Sequence, residues 1–134
     1  DHLVEGRSLV PLTRKIHLDS WRDAVFSELD YSFRQARLIL KRKPGECRAF
    51  MVRTDRWKYV WWQDFRPMLF DLLNDPKERR DLGADASYAP VVAEMDQRLG
   101  AWLRGRKTRV TVDDAYVAAR TATHKKAGVF FGQW

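Results

Sequence analysis

The sequence predicts an α+β fold: a small antiparallel β-sheet of about four strands packed against a long C-terminal helix. Three observations carry that prediction. Arg48 to Thr54 and Trp57 to Trp62 are rich in aromatic and β-branched residues, and only Asp55-Arg56 separates them. Met68 to Leu72 is a further short apolar run, and Pro67 just before it suits the first position of a strand. From Tyr88 to Arg104, the apolar residues Val92, Met95, Leu99 and Trp102 recur at spacings of three, four and three, which draws one stripe along a helix. Strands this close in sequence leave no room for a crossover helix, so they pair antiparallel.

Taken in order, residues 1–20 are polar and irregular, with Gly6 and Pro11, and read as a lead-in segment. Residues 21–106 hold the predicted subdomain. Its first element is a strand at Asp23 to Leu29. Val25, Ser27 and Leu29 would face one side, and Ala24, Phe26 and Glu28 the other. Residues 30–47 are mixed and basic, with a bend at Lys41-Arg42-Lys43-Pro44-Gly45. The hairpin and Met68 to Leu72 follow. Asn74-Asp75-Pro76-Lys77-Glu78 then predicts a short helix ending by Gly83. Asp75 would cap it, Pro76 would take the first helical position, and Glu78 would sit where a capping box places its acid. In the long helix Glu94 and Arg98 make an i,i+4 pair on the wet side, and Gly105 is the stop. Residues 107–134 are basic early and then rich in Ala and Thr. They end Gly128-Val129-Phe130-Phe131-Gly132-Gln133-Trp134. Phe130, Phe131 and Trp134 need a partner surface, so this tail is expected at an inter-domain or oligomer contact, and a homo-oligomer is expected.

The 134 residues make one domain's worth of chain. With 45% hydrophobic and 32% charged residues, a globular fold is expected rather than disorder. No apolar run reaches the roughly 18–20 residues of a membrane span, so no membrane partner is expected. One cysteine excludes an internal disulfide framework and fits a reducing, cytoplasmic compartment. The net charge of +7 permits anionic partners without requiring them. A chain that opens Asp1-His2-Leu3 without a methionine reads as a piece of a longer one.

A search for reactive groups yields little. His2, His17 and His124 are far apart, with no metal-ligand spacing, and the seven glycines form no phosphate loop. Cys47 lies between Glu46 and Arg48, which match no catalytic signature, and reads as a buried cysteine at a strand edge. Ser8, Ser20, Ser27 and Ser32 lack a nucleophile-elbow context. The acids Asp23, Glu28 and Asp30, and the pair Asp113-Asp114, are what turns and surfaces commonly produce. No catalytic and no metal-binding residue is assigned. The stretch Arg53 to Arg66 interleaves Trp57, Tyr59, Trp61, Trp62 and Phe65 with Arg53, Arg56, Lys58 and Arg66. Such a stretch would serve as a stacking surface for single-stranded nucleic acid. Strand alternation produces the same pattern as a core face backed by a solvated basic face, so nucleic acid is not the expected partner.

Several segments, in order, resemble a known family. Gly6-Arg7-Ser8-Leu9-Val10-Pro11-Leu12 resembles the Gly-x-Ser-Leu-x-Pro-Leu segment that ends the catalytic domain of sulfatases. Arg48-Ala49-Phe50-Met51-Val52-Arg53-Thr54 with Trp57-Lys58-Tyr59-Val60 is similar to their Arg-Ala hairpin. Leu69-Phe70-Asp71-Leu72 with Asn74-Asp75-Pro76, Glu78 and Asp81-Leu82 is similar to their Asp-Leu…Asp-Pro-x-Glu segment. Phe26-Ser27-Glu28-Leu29-Asp30-Tyr31-Ser32-Phe33 and the tail from Thr123 to Trp134 resemble phosphonate monoester hydrolases, which are similar to arylsulfatases within the alkaline phosphatase superfamily. The resemblance implies the C-terminal part of a hydrolase of phosphonate, phosphate or sulfate esters, with residues 1–20 as the end of its catalytic-domain segment. The family's nucleophile is a formylglycine made from a Cys-x-Pro-x-Arg or Cys-x-Ala-x-Arg motif. Cys47 is followed by Arg48-Ala49-Phe50-Met51 and does not match. The resemblance therefore puts the formylglycine and a divalent metal in an upstream catalytic domain, the partner this chain would pack against. It implies a structural role for this chain, with Trp57, Tyr59, Trp61, Trp62 and Trp102 as the packing residues.

Overall fold

Thr54 closes the hairpin on which the sheet is built. Its hydroxyl accepts the Trp57 N–H at 2.9 Å, and its own N–H donates to the Trp57 carbonyl at 2.8 Å. Asp55-Arg56 is thereby left as a two-residue loop. The computed structural model describes residues 6–14, 16, 20–106, 115, 116 and 119. In chain order its elements are α1 (Val10–Thr13), β1 (Val25–Asp30), α2 (Gln35–Ile39), β2 (Arg48–Arg53), β3 (Trp57–Trp62), β4 (Met68–Asp71) and α3 (Ala89–Gly105). Single 3-10 turns at Pro44–Glu46 and Ala86–Tyr88 precede β2 and α3. Asp19–Gly105 form one unit, and α1 lies outside it.

The four strands run in the order β1-β2-β3-β4, each antiparallel to its neighbour, as the short connections require. The register sets the two faces. Phe26, Val52, Tyr59 and Leu69 stand side by side in one row across all four strands. Val52, Tyr59 and Leu69 are buried there with Leu82, Met95 and Leu99, so this row is where α3 packs. Asp85 prepares the approach to α3 by accepting the Ser87 N–H at 3.0 Å and the Ser87 hydroxyl at 2.6 Å. The Glu94–Arg98 pair on the helix surface forms at 3.4 Å. Gly105 is the last helical residue rather than the first beyond the helix.

Two segments differ from the sequence expectation. The short helix after Asp75 does not form. Asp75 accepts the Arg79 and Arg80 N–H groups at 2.6 and 2.8 Å, beyond the positions a helix cap would reach. Glu78 sits at φ 53°, in the left-handed region, which a right-handed helix cannot pass through. Its carboxylate is held by Lys58 Nζ at 2.5 Å, so a tertiary ion pair stands where the capping box was expected. Conversely, residues 30–47 contain the one-turn helix α2, which ends before Lys41 at φ 53°. Five residues are too few to show a helical period.

Past β4, the chain turns back at Gly83, whose backbone runs so close to Pro67 that a Cβ would lie 2.3 Å from the Pro67 carbonyl oxygen. Asp71 secures the other end of β4. It is buried, and it accepts Arg56 Nη2 at 3.0 Å, Asn74 Nδ2 at 2.9 Å and the Leu73 N–H at 3.2 Å. Hydrogen bonding from the Arg56 guanidinium, then from Asn74, holds this carboxyl below the usual carboxylate range.

Two outcomes follow. Gly83→Ala forces a backbone carbonyl to move and should cost about 1–3 kcal/mol in urea unfolding. A lowered folded-state pKa means that the contribution of Asp71 is complete above about pH 4 and disappears as pH falls through the depressed value. Asp71→Asn should therefore lower stability at neutral pH and flatten the loss seen on acidification. Thermal midpoints of the two chains measured between neutral and strongly acidic pH would show it.

Candidate functional site

The groups able to do chemistry are occupied with structure. Cys47 is completely enclosed just ahead of β2, and its thiol donates to the Lys43 carbonyl at 3.3 Å. Asp23 pairs with Arg98 Nη1 at 2.8 Å, and that guanidinium lowers its pKa. Asp30 accepts the Ser32 N–H at 2.8 Å, which lowers its pKa too. Among the described residues, no three His, Cys, Asp or Glu side chains gather into a group that could hold a metal ion. No helix among them is long and apolar enough to cross a membrane. His2, His17, His124, Asp113, Asp114, Phe130, Phe131 and Trp134 lie outside the described residues.

The five aromatic packing residues divide between the two faces of the sheet. Tyr59 is buried under α3, where its hydroxyl donates to Asp96 Oδ1 at 2.8 Å. Trp57 meets Tyr88 edge-on at 6.0 Å, and Trp61 lies against Phe50 at 5.7 Å, both beside the same core. Trp102 of α3 stacks flat on Phe26, with centroids 4.8 Å apart and planes 3° from parallel. Trp62 is on the other side. It continues the row that runs from Leu29 through Ala49, and the next row holds Ser27, Met51, Val60 and Met68.

That second face carries the feature the sequence did not reveal. At its Leu29–Trp62 end, with α2 alongside, a cavity of about 550 Å³ is walled by Leu29, Tyr31, Leu40, Trp62, Phe65 and Met68. Arg34, Arg66 and Asp81 are the charged residues of its lining. Arg66 Nη1 and Asp81 Oδ2 pair at 2.9 Å. Asp81 Oδ1 also takes the Leu69 and Gly83 N–H groups at 3.0 and 2.9 Å, so Asp81 anchors the cavity wall to β4. Tyr31 stands edge-on to Trp62 at 6.0 Å, and burial pushes its phenol pKa up. Arg42 pairs with Asp64 and covers Phe65 at 5.4 Å. Leu40, which lines the cavity, is 47% exposed, and elsewhere on the same segment Phe33, Leu38 and Ile39 are 98%, 63% and 71% exposed. The signal that would have found this site is apolar Tyr31, Ala36 and Leu40 inside a segment read as mixed and basic.

Comparisons with known proteins agree with this geometry. Residues 2–104 match the family model described as N-sulphoglucosamine sulphohydrolase, C-terminal. The chain is 28% identical over 101 residues to the multifunctional alkaline phosphatase superfamily protein PehA of Trinickia caryophylli, an alignment covering 73% of this chain and 20% of that protein. Among solved structures, the phosphonate monoester hydrolase of Agrobacterium radiobacter superposes with a TM-score of 0.64 at 32% identity, over 74% of this chain and 20% of that one. The phosphonate monoester hydrolase of Silicibacter pomeroyi gives a TM-score of 0.69 at 27% identity, over 82% of this chain and 23% of that one. The chain thus spans about a fifth of the length of the relatives it matches.

Proposed function

The chain belongs to the N-sulphoglucosamine sulphohydrolase C-terminal family, and from that membership we propose that it is the C-terminal structural subdomain of a longer hydrolase of phosphonate, phosphate or sulfate esters. The observation that carries the reading is the match of residues 2–104 to a model of the C-terminal part of such enzymes. The similarity to two phosphonate monoester hydrolases supports the ester class.

The nucleophile of the parent would be a formylglycine, and a divalent metal would supply charge neutralisation at the ester oxygens. The described residues of this chain do not fit that centre. Cys47 is enclosed and hydrogen-bonded to a backbone carbonyl, and no set of metal ligands is gathered. In this reading both groups sit in an upstream catalytic domain, and no catalytic step is assigned to the residues described above. Their work is mechanical: α3 and the sheet make a rigid block whose second face supports that domain. A cytoplasmic homo-oligomer, with Phe130, Phe131 and Trp134 at an interface, completes the reading.

The intact mass of the natural gene product is the first test. A value several times the 15.8 kDa of this chain is expected, together with hydrolysis of an aryl phosphonate monoester or an aryl sulfate. Residues 1–134 alone should be silent. A natural product of 15.8 kDa, or ester cleavage by residues 1–134 themselves, would overturn the reading.

A further inference from the structure

We infer that the apolar cavity on the second face of the sheet is the socket into which the upstream part of the same polypeptide inserts a large apolar side chain, with a carboxylate beside it to meet Arg34. The inference rests on the reading above and names the contact that holds the two parts together.

Three features point to this occupant. First, the surface is apolar: Leu29, Tyr31, Leu40, Trp62, Phe65 and Met68 wall it, and Leu29, Leu40 and Phe65 among them are exposed. Contiguous apolar surface of this kind marks an interface. Secondly, the solved relatives carry about five times as much chain as matches here, and the matched family model is a C-terminal one, so the extra chain lies upstream. Thirdly, charge specifies the partner. Residues 31–45 hold Arg34, Arg37, Lys41, Arg42 and Lys43 and no acid. Arg42 is paired with Asp64, and Arg66 with Asp81, while Arg37 Nε donates to the Ser32 carbonyl at 2.6 Å. Arg34 lines the cavity and forms no salt bridge among the described residues. Covering it without a counter-charge would be costly, so the surface that covers it should bring one.

The test uses the longer polypeptide, with single cysteines placed at Leu40→Cys beside the cavity and at Leu73→Cys, which is 71% exposed beyond the far end of β4. Both positions are solvent-facing in this unit, so neither substitution should disturb its core. Maleimide labelling, read peptide by peptide, should be slower at Leu40→Cys by roughly tenfold or more, which corresponds to about 1.4 kcal/mol of protection. That ratio should not change with protein concentration. Adding Arg34→Glu should restore fast labelling at Leu40→Cys and leave Leu73→Cys unaffected. Equal labelling at the two sites would overturn the inference, as would protection that appears only as concentration rises, which would mean a second copy as the occupant. Equal labelling in a longer polypeptide that still cleaves esters would remove the socket alone, whereas absence of any longer polypeptide would remove the functional reading as well.

Discussion

The Tyr59 hydroxyl determines how the helix meets the sheet. The Tyr59 ring is 2% exposed, in the middle of the row formed by Phe26, Val52 and Leu69. A buried phenol must find a hydrogen-bond partner or forfeit much of what its ring gains. It finds Asp96 of α3 at 2.8 Å. Because Met95 and Leu99 flank that residue along the helix, fixing Asp96 over Tyr59 also turns Met95 and Leu99 inward, where they are 1% and 2% exposed. Burial, then the Asp96 carboxylate, raises the phenol pKa well above its ordinary value. The proton therefore stays on Tyr59, and the tie stays a donor–acceptor pair at any ordinary pH.

Strand alternation and the helical stripe were readable because each is a local period that tertiary structure reinforced. Trp57, Tyr59 and Trp61 alternate with Lys58 and Val60, and the sheet keeps that alternation. What could not be read is what depends on contacts between segments. The helix expected after Asp75 had its proline, yet Glu78 is left-handed and its carboxylate pairs with Lys58, twenty residues upstream. Trp62, one step from Trp61, faces the side opposite the core aromatics, as strand parity requires. The cavity was hidden for a related reason. Its walls come from β1, the α2 segment, β3, the β3–β4 connection and β4, and no single stretch contains enough of them to signal a pocket.

The residues that carry the family likeness are largely those that the fold uses for itself. Asp71 is a buried acceptor for Arg56 and Asn74, and Asp81 ties Arg66 to two backbone N–H groups of the β4 region. Asp75 closes the turn that follows. In a catalytic domain a run of such acids would invite a metal reading. Here each carboxylate accepts at least two hydrogen bonds from the chain itself.

The asymmetry of the sheet links these local facts to the molecule's role. An antiparallel sheet that ends at water usually shows an apolar face and a polar one. In this sheet α3 covers one apolar face, while the opposite face still presents Leu29, Met51, Val60, Trp62 and Met68 in adjoining rows. Ser27 interrupts it in the middle, and its charged side chains collect at one end, where Arg53 and Lys58 share a row with Val25 and Phe70. The other end holds the cavity and the exposed α2 segment. The face that α3 leaves uncovered is therefore polar at its Arg53–Lys58 end and apolar at its Leu29–Trp62 end, a gradient set by the register that pairs these rows across the strands.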